Sequence, residues 1–212
     1  MNPLRKPFAY SYFNTVLVIV ALNVGIYFLT RLTGLSRMAT VYLGLSAAGV
    51  LRGHFWWQPL TYMFVHGGTS HLFFNMLGLF FFGIPVEKHL GSKEFLLLYL
   101  LCGVLDGLAS LAVYCLTGMF SAILIGASGA IYSILLVFAV IYPRSIISVF
   151  GIIPMPAPVF VLVYALIELG SQFFGSSNVA HLTHLAGFAL AWLYMVVRLD
   201  LHPLKIWKDA WK

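Results

Sequence analysis

Three apolar segments of this chain carry side chains suited to acyl transfer. Ser128 lies between glycines in LIGASGAIYSILLVF, residues 124–138. His184 lies in HLTHLAGFALAWLY. His71 and Asn75, in SHLFFNMLG, are four residues apart and share a helix face. A serine hydroxyl is a weak nucleophile until a base takes its proton, and histidine is the usual base. Attack on an amide builds an oxyanion, which needs donors already in place. A helix starting at Ser128 would offer its first unbonded amides, favoured by the helix dipole. His71 and Asn75 can add side-chain donors. No carboxylate stands in the sequence where it would complete a triad, so the residues predict a Ser128–His184 dyad. Tyr132, one turn after Ser128, is placed to stack on the imidazole. Gly126, Gly129 and Ala130, with Ala186, Gly187 and Ala191 opposite, let the two segments approach closely.

The surroundings of these residues are apolar throughout. Of 212 residues, 61% are hydrophobic and only 8% are charged, against about 45–50% and about 25% in soluble domains. Lipid must be the solvent, and lipid admits only helices or closed barrels. The apolar runs are continuous and about 15–22 residues long, which predicts helices and not the alternating strands of a barrel. The fold expected is an all-α membrane protein, one domain over 1–212. An N-terminal segment 1–11 and a tail 200–212 would flank a core over 12–199. Six spans are predicted, near 12–31, 69–87, 93–115, 128–142, 157–174 and 179–199. The longest connection, 32–68, is a functional or self-packed loop. IIPMPAP interrupts the chain before span five, because proline cannot continue a helix. The run after MNPLRKPF is too long for a signal core and reads as a retained first span. Cys102 and Cys115 fall on one helix about 20 Å apart and cannot bridge each other.

The cations orient the spans. Arg5, Lys6, Lys88, Lys93, Arg144, Arg198, Lys205, Lys208 and Lys212 fall on one side, and only Arg31, Arg37 and Arg52 on the other. Both termini are therefore expected in the cytoplasm. The net charge of +6 follows span ends, so nucleic acid is not the partner; the lipid bilayer is. Spans two, four and six then descend from the outer face. A fourth span of 15 residues is only about 22 Å long, short of a hydrocarbon core of about 30 Å. Ser128 would start that helix about 8 Å below the outer surface, in a wet depression. His184, His71 and Asn75 reach similar depths.

Plainer readings stand beside these. Ser128 suits an ordinary helix N-cap, and His184 a packing histidine, although polar groups in membranes default to function. His181, three residues before His184, is the competing base. His66 reads as a structural residue of the long loop. Asp106 and Glu168 lie inside spans three and five with no cation partner in the sequence. They read as neutral, hydrogen-bonded acids or as groups lining a wet crevice. An aspartyl protease needs a carboxylate pair, and a zinc protease H-E-x-x-H; neither pattern is present. His181, His184 and His71 make a weak metal set. The tail KIWKDAWK reads as a short basic amphipathic stretch on the inner surface.

In order along the chain, WWQPLTYMFVH, HGGTSHLFFN with His66, His71 and Asn75, VEKHLGSKEFLLLYL, GASG with Ser128 and AHLTHLAGFALA with His184 resemble the rhomboid intramembrane serine proteases. The resemblance covers residues 56–191. It implies a six-helix bundle with a long first loop and a short fourth helix starting at the active-site serine. It further implies Ser128 as nucleophile, His184 as general base, and His71, Asn75 and the Ser128 amide as oxyanion hole. No cofactor and no metal are implied. Implied substrates are single-span membrane proteins, reaching the site between spans two and five and cut near the outer end of their helix. A bacterial plasma membrane is the expected location. Two positions depart from the family pattern: Gln58 follows Trp57 where arginine is frequent, and Ala191 replaces a closing glycine. A catalytically idle rhomboid-like protein that grips client helices is the alternative reading. A third is a transporter with a His184–Glu168 proton relay.

Overall fold

The computed structural model describes the chain except residues 1–4, 150 and 175–177. Helix α1 runs over Thr15–Leu32. Three short helices follow: α2 (Ser36–Leu43), α3 (Ala47–Leu51) and α4 (Gln58–Thr61). Helices α5 (Thr69–Gly78) and α6 (Ile84–Leu90) form one continuous rod, joined by a wider π-type stretch at Leu79–Gly83. Helix α7 spans Ser92–Leu116, α8 Ser128–Ile141, α9 Ala157–Phe174, α10 Asn178–Arg198 and α11 Pro203–Ala210. Among the described residues, Thr15–Leu32, Thr69–Leu90 and Ser92–Leu116 are long and apolar enough to cross a membrane. A fourth is added if α10 and α11, bent by 90°, count as one span. Helices α8 and α9 are apolar but shorter.

One departure from an all-helical fold is a hairpin. Strands β1 (Ile146–Val149) and β2 (Ile153–Pro156) pair antiparallel, Ile146 opposite Pro156 and Val149 opposite Ile153. The β-branched run IISV favours extended backbone. Gly151 supplies the positive φ of the turn. Pro154 and Pro156 fit because neither strand has a second neighbour that would need their missing amides.

Helix α8 is the centre of the bundle. Ile134, Val137 and Ala139 are fully buried, with α10 and α7 as the main neighbours. A helix hydrophobic all round is what burial on every side requires. In lipid, helix contacts depend on close packing and buried polar ties, and the ties at the end bearing both termini are carboxylates. Glu87 accepts from the amides of Thr15 (2.5 Å) and Val16 (2.9 Å) and from the Ser92 hydroxyl (2.5 Å). It thus caps α1 from another helix, where the dipole favours negative charge. Glu94 accepts from Arg198 Nε (2.9 Å) and Nη2 (3.0 Å), Tyr194 (2.5 Å) and the Phe8 amide (3.2 Å). A buried carboxylate held by this many donors is compensated for lost water.

The stretch 32–68 is a packed helical substructure and not an irregular loop. Gln58 is fully buried. Its amide donates to the Val41 carbonyl (3.0 Å), and its oxygen accepts from the Ser46 amide (3.1 Å). Gln58 thereby holds the turn without needing an arginine. Thr61 donates to Leu43 (2.7 Å) and Trp57 to Tyr42 (2.8 Å). This substructure reaches the segment before α8 through the Leu45–Leu124 pair and the Gly126 amide, which donates to the Tyr62 carbonyl at 2.9 Å. At the opposite end, α11 lies against α8, with Trp207 Nε1 donating to Ala139 at 2.9 Å.

Candidate active site

Ser128 is the first residue of α8, and Ala127 precedes it as the cap. No side-chain cap bond closes that end, so the first-turn amides keep their donor capacity. The serine hydroxyl has a different partner. Ser128 Oγ lies 2.9 Å from His184 Nε2, across the contact between α8 and α10.

Glycines make that contact possible. A Cβ on Gly187 would stand 2.5 Å from the Gly129 carbonyl oxygen, so the two backbones touch where only hydrogen fits. Ser133 donates to the Gly187 carbonyl at 2.7 Å and spans the same seam. Gly129 is enclosed on its other side as well, because a Cβ there would collide with the carboxyl of Asp106. Asp106 is fully buried on α7, beneath the first turn of α8.

Gly126 has φ +109, a conformation open to glycine. A Cβ there would meet His71 Nε2 at 2.5 Å and Asn75 Nδ2 at 3.7 Å. The loop into α8 therefore runs directly beside both side chains of α5. Asn75 also donates to the His71 carbonyl at 3.0 Å. His66 lies edge-on to His71, ring centroids 5.1 Å apart. Burial pushes the His66 imidazole down to about 4, and neighbouring His71 adds to the shift.

The rings of Tyr132 and His184 are stacked, centroids 4.2 Å apart and planes 6° from parallel. Beyond them lies a residue that the sequence couples to His184 only in the transporter reading. Glu168 on α9 has Oε1 3.0 Å from His184 Nδ1, and the Tyr132 hydroxyl donates to the same oxygen. The reading that no carboxylate is placed to complete a triad thus overlooks Glu168, while its reading as a hydrogen-bonded acid agrees with these contacts. A sequence signal existed. Glu168 lies six residues before Phe174, the last of α9, and His184 six after Asn178, the first of α10. Equal distances from the shared end of an antiparallel helix pair mean equal depth. The side chain of the competing base, His181, lies outside the described residues. No group of three His, Cys, Asp or Glu side chains has metal-binding geometry among the described residues.

Ser128, His184, His71 and Asn75 all line one cavity of about 950 Å³. Its walls are apolar: Phe74 and Phe81 from the α5–α6 rod, Ile131 and Leu135 from α8, Phe160 and Tyr164 from α9. The hairpin closes the far end with Ile146 and Ile147. Ser128, His184, His71 and Asn75 cluster at one end, and Ser148 of the hairpin adds a hydroxyl at the other.

Apolar helices of membrane-crossing length, packed around a largely apolar cavity, define an integral membrane protein with a hydroxyl–imidazole pair inside it. Residues 52–200 match the Rhomboid domain, and the chain belongs to the rhomboid family. It is 36% identical over 118 residues to the rhomboid protease GluP of Bacillus subtilis, covering 55% of this chain and 22% of that protein. It is 38% identical over 92 residues to RHOMBOID-like protein 4 of Arabidopsis thaliana, covering 43% and 22%. With inactive RHOMBOID-like protein 8 of the same plant it shares 35% over 65 residues, covering 31% and 18%. The matches thus take in a quarter or less of each of these relatives.

Proposed function

We propose that the protein is an intramembrane serine endopeptidase that cuts single-span membrane proteins with Ser128 and His184. The observation that carries this reading is the 2.9 Å approach of Ser128 Oγ to His184 Nε2 at one end of a largely apolar cavity. The family supports it, since rhomboid proteins act on membrane-protein substrates. In this reading helices α1, α5–α6, α7, α8, α9 and α10 are the six spans, and the cation asymmetry supports both termini lying in the cytoplasm. The Ser128 end of the cavity then opens to the outer side.

His184 Nε2 takes the hydroxyl proton as Ser128 Oγ bonds to the scissile carbonyl carbon. The carbonyl oxygen becomes an oxyanion, met by the Ser128 amide, the His71 imidazole and the Asn75 amide group. Collapse breaks the C–N bond, and His184 returns the proton to the leaving amine. A water molecule then repeats the sequence on the ester, releasing the acid and restoring the serine. Tyr132 supports the imidazole as a stacked plate. Gly126 and Gly129 keep the loop and the first turn of α8 within reach of their partners.

Purified protein incubated with a tagged single-span substrate tests this directly. Wild type cleaves, and Ser128→Ala, still folded, does not. Cleavage that persists in Ser128→Ala removes the nucleophile assignment. An idle client-binding protein would leave the substrate bound and uncut in both forms.

A further inference from the structure

The geometry points to Glu168 as a third member of the reacting set, a positioning residue that holds His184 in its working tautomer and orientation. The inference rests on the hydrolase reading above and deepens it. It departs from the Ser128–His184 dyad that the residues predict in the sequence.

Three observations carry it. First, Glu168 Oε1 faces His184 Nδ1 at 3.0 Å while His184 Nε2 faces Ser128 Oγ at 2.9 Å. In this proposal Glu168 is ionised, and an ionised carboxylate only accepts. The proton therefore sits on Nδ1, and Nε2 keeps the lone pair that must receive the serine proton. The opposite tautomer would present a donor to Ser128 and could not act as base. Second, the carboxylate is itself held. The Tyr132 hydroxyl donates to the same oxygen, and Tyr132 also stacks on the His184 ring. One side chain thus fixes the imidazole plane from its face and the carboxylate from its edge. Third, Glu168 is buried and sits at the depth of His184 on the neighbouring helix. A charge this deep is stabilised only by partners of this kind.

During turnover no proton reaches Glu168. His184 becomes imidazolium when it takes the serine proton, and the adjacent carboxylate offsets that positive charge where little water is present to do so. The arrangement also ties the chemistry to α9. Phe160 and Tyr164 of the same helix wall the cavity, so a shift of α9 away from α10 withdraws the carboxylate from the base.

Steady-state cleavage of a tagged single-span substrate by wild type, Glu168→Gln, Glu168→Ala, Glu168→Asp and Ser128→Ala tests the assignment. The expected result is a kcat at least about 100-fold lower for Gln and Ala. KM stays within about twofold, because the lost interaction acts in the transition state. Asp, which keeps the charge at a shorter reach, recovers part of the rate. A fluorophosphonate should label Ser128 more slowly in Glu168→Gln by a similar factor, a readout available in membranes even where a variant loses stability in detergent. Near wild-type kcat and labelling in Glu168→Gln, with Ser128→Ala inactive, overturns the role of Glu168 and leaves the hydrolase standing. Cleavage by Ser128→Ala overturns both.

Discussion

Two sides of the same cavity are built on opposite principles. Along the α8–α10 seam, Gly129 and Gly187 touch backbone to backbone, Ser133 bridges to the Gly187 carbonyl, and Ala130 and Ala191 are buried. Across the cavity, the α5–α6 rod and α9 present large, partly exposed aromatic side chains, among them Phe74, Phe81 and Tyr164. The seam carries the serine and the histidine. The aromatic walls carry no reacting group, except that α9 also bears Glu168 and α5 the two candidate oxyanion donors. Placement tolerances therefore differ between the two sides. A nucleophile and base on separate helices need a contact with no slack, and small residues provide it in lipid, where apolar side chains gain nothing by preferring each other to acyl chains. Under the proposed function, broad rings with room between them suit a surface that receives varied apolar helices.

Breaking the seam should have the larger effect. Gly187→Val would push the Gly129 carbonyl away and separate Ser128 from His184. A displacement near 1 Å lowers turnover about 100-fold. Fluorophosphonate labelling of Ser128 should fall in step, with Gly187→Ala intermediate. Full labelling of the valine variant would show that the seam does not set the geometry.

Altering the walls should act more gently and on a different parameter. Phe160→Ala removes a ring that packs on Tyr164, centroids 5.2 Å apart. Losing that apolar surface should raise KM about tenfold with little change in kcat. A kcat loss as large as that of Gly187→Val would erase the distinction between the two sides.

The smallest effect lies outside both, at His66. Its imidazole is held neutral down to about 4 by burial, while in the unfolded chain it takes a proton near 6.5. Between those values the unfolded state binds more protons, so stability rises with pH and is lost as pH falls through that window. The thermal midpoint in detergent should drop by a few degrees from pH 7 to pH 5. His66→Leu should flatten that dependence, and identical slopes would exclude His66 as the titrating group.

Much of this molecule follows from composition and spacing alone. An excess of apolar residues at low charge leaves lipid as the only solvent; lipid admits only helices or closed barrels, and the continuous apolar runs choose helices. The small residues flanking Ser128 and following His184 mark two helices able to meet. The i, i+4 step from His71 to Asn75 gives them one face, because helical periodicity is local.

Other features depended on contacts between distant segments. The IISV and IPMP stretches form a hairpin because each finds the other. Residues 32–68 fold into short helices around Gln58, whose bonds join residues 12, 16 and 17 positions away. Glu168 is the clearest case. Its position in an apolar run marks it as costly to bury, yet only the pairing of α9 with α10 decides that its partner is the Nδ1 of His184. Periodicity orders side chains along one helix. The rotation and tilt of one helix against the next are set by packing, and those decide which polar groups meet.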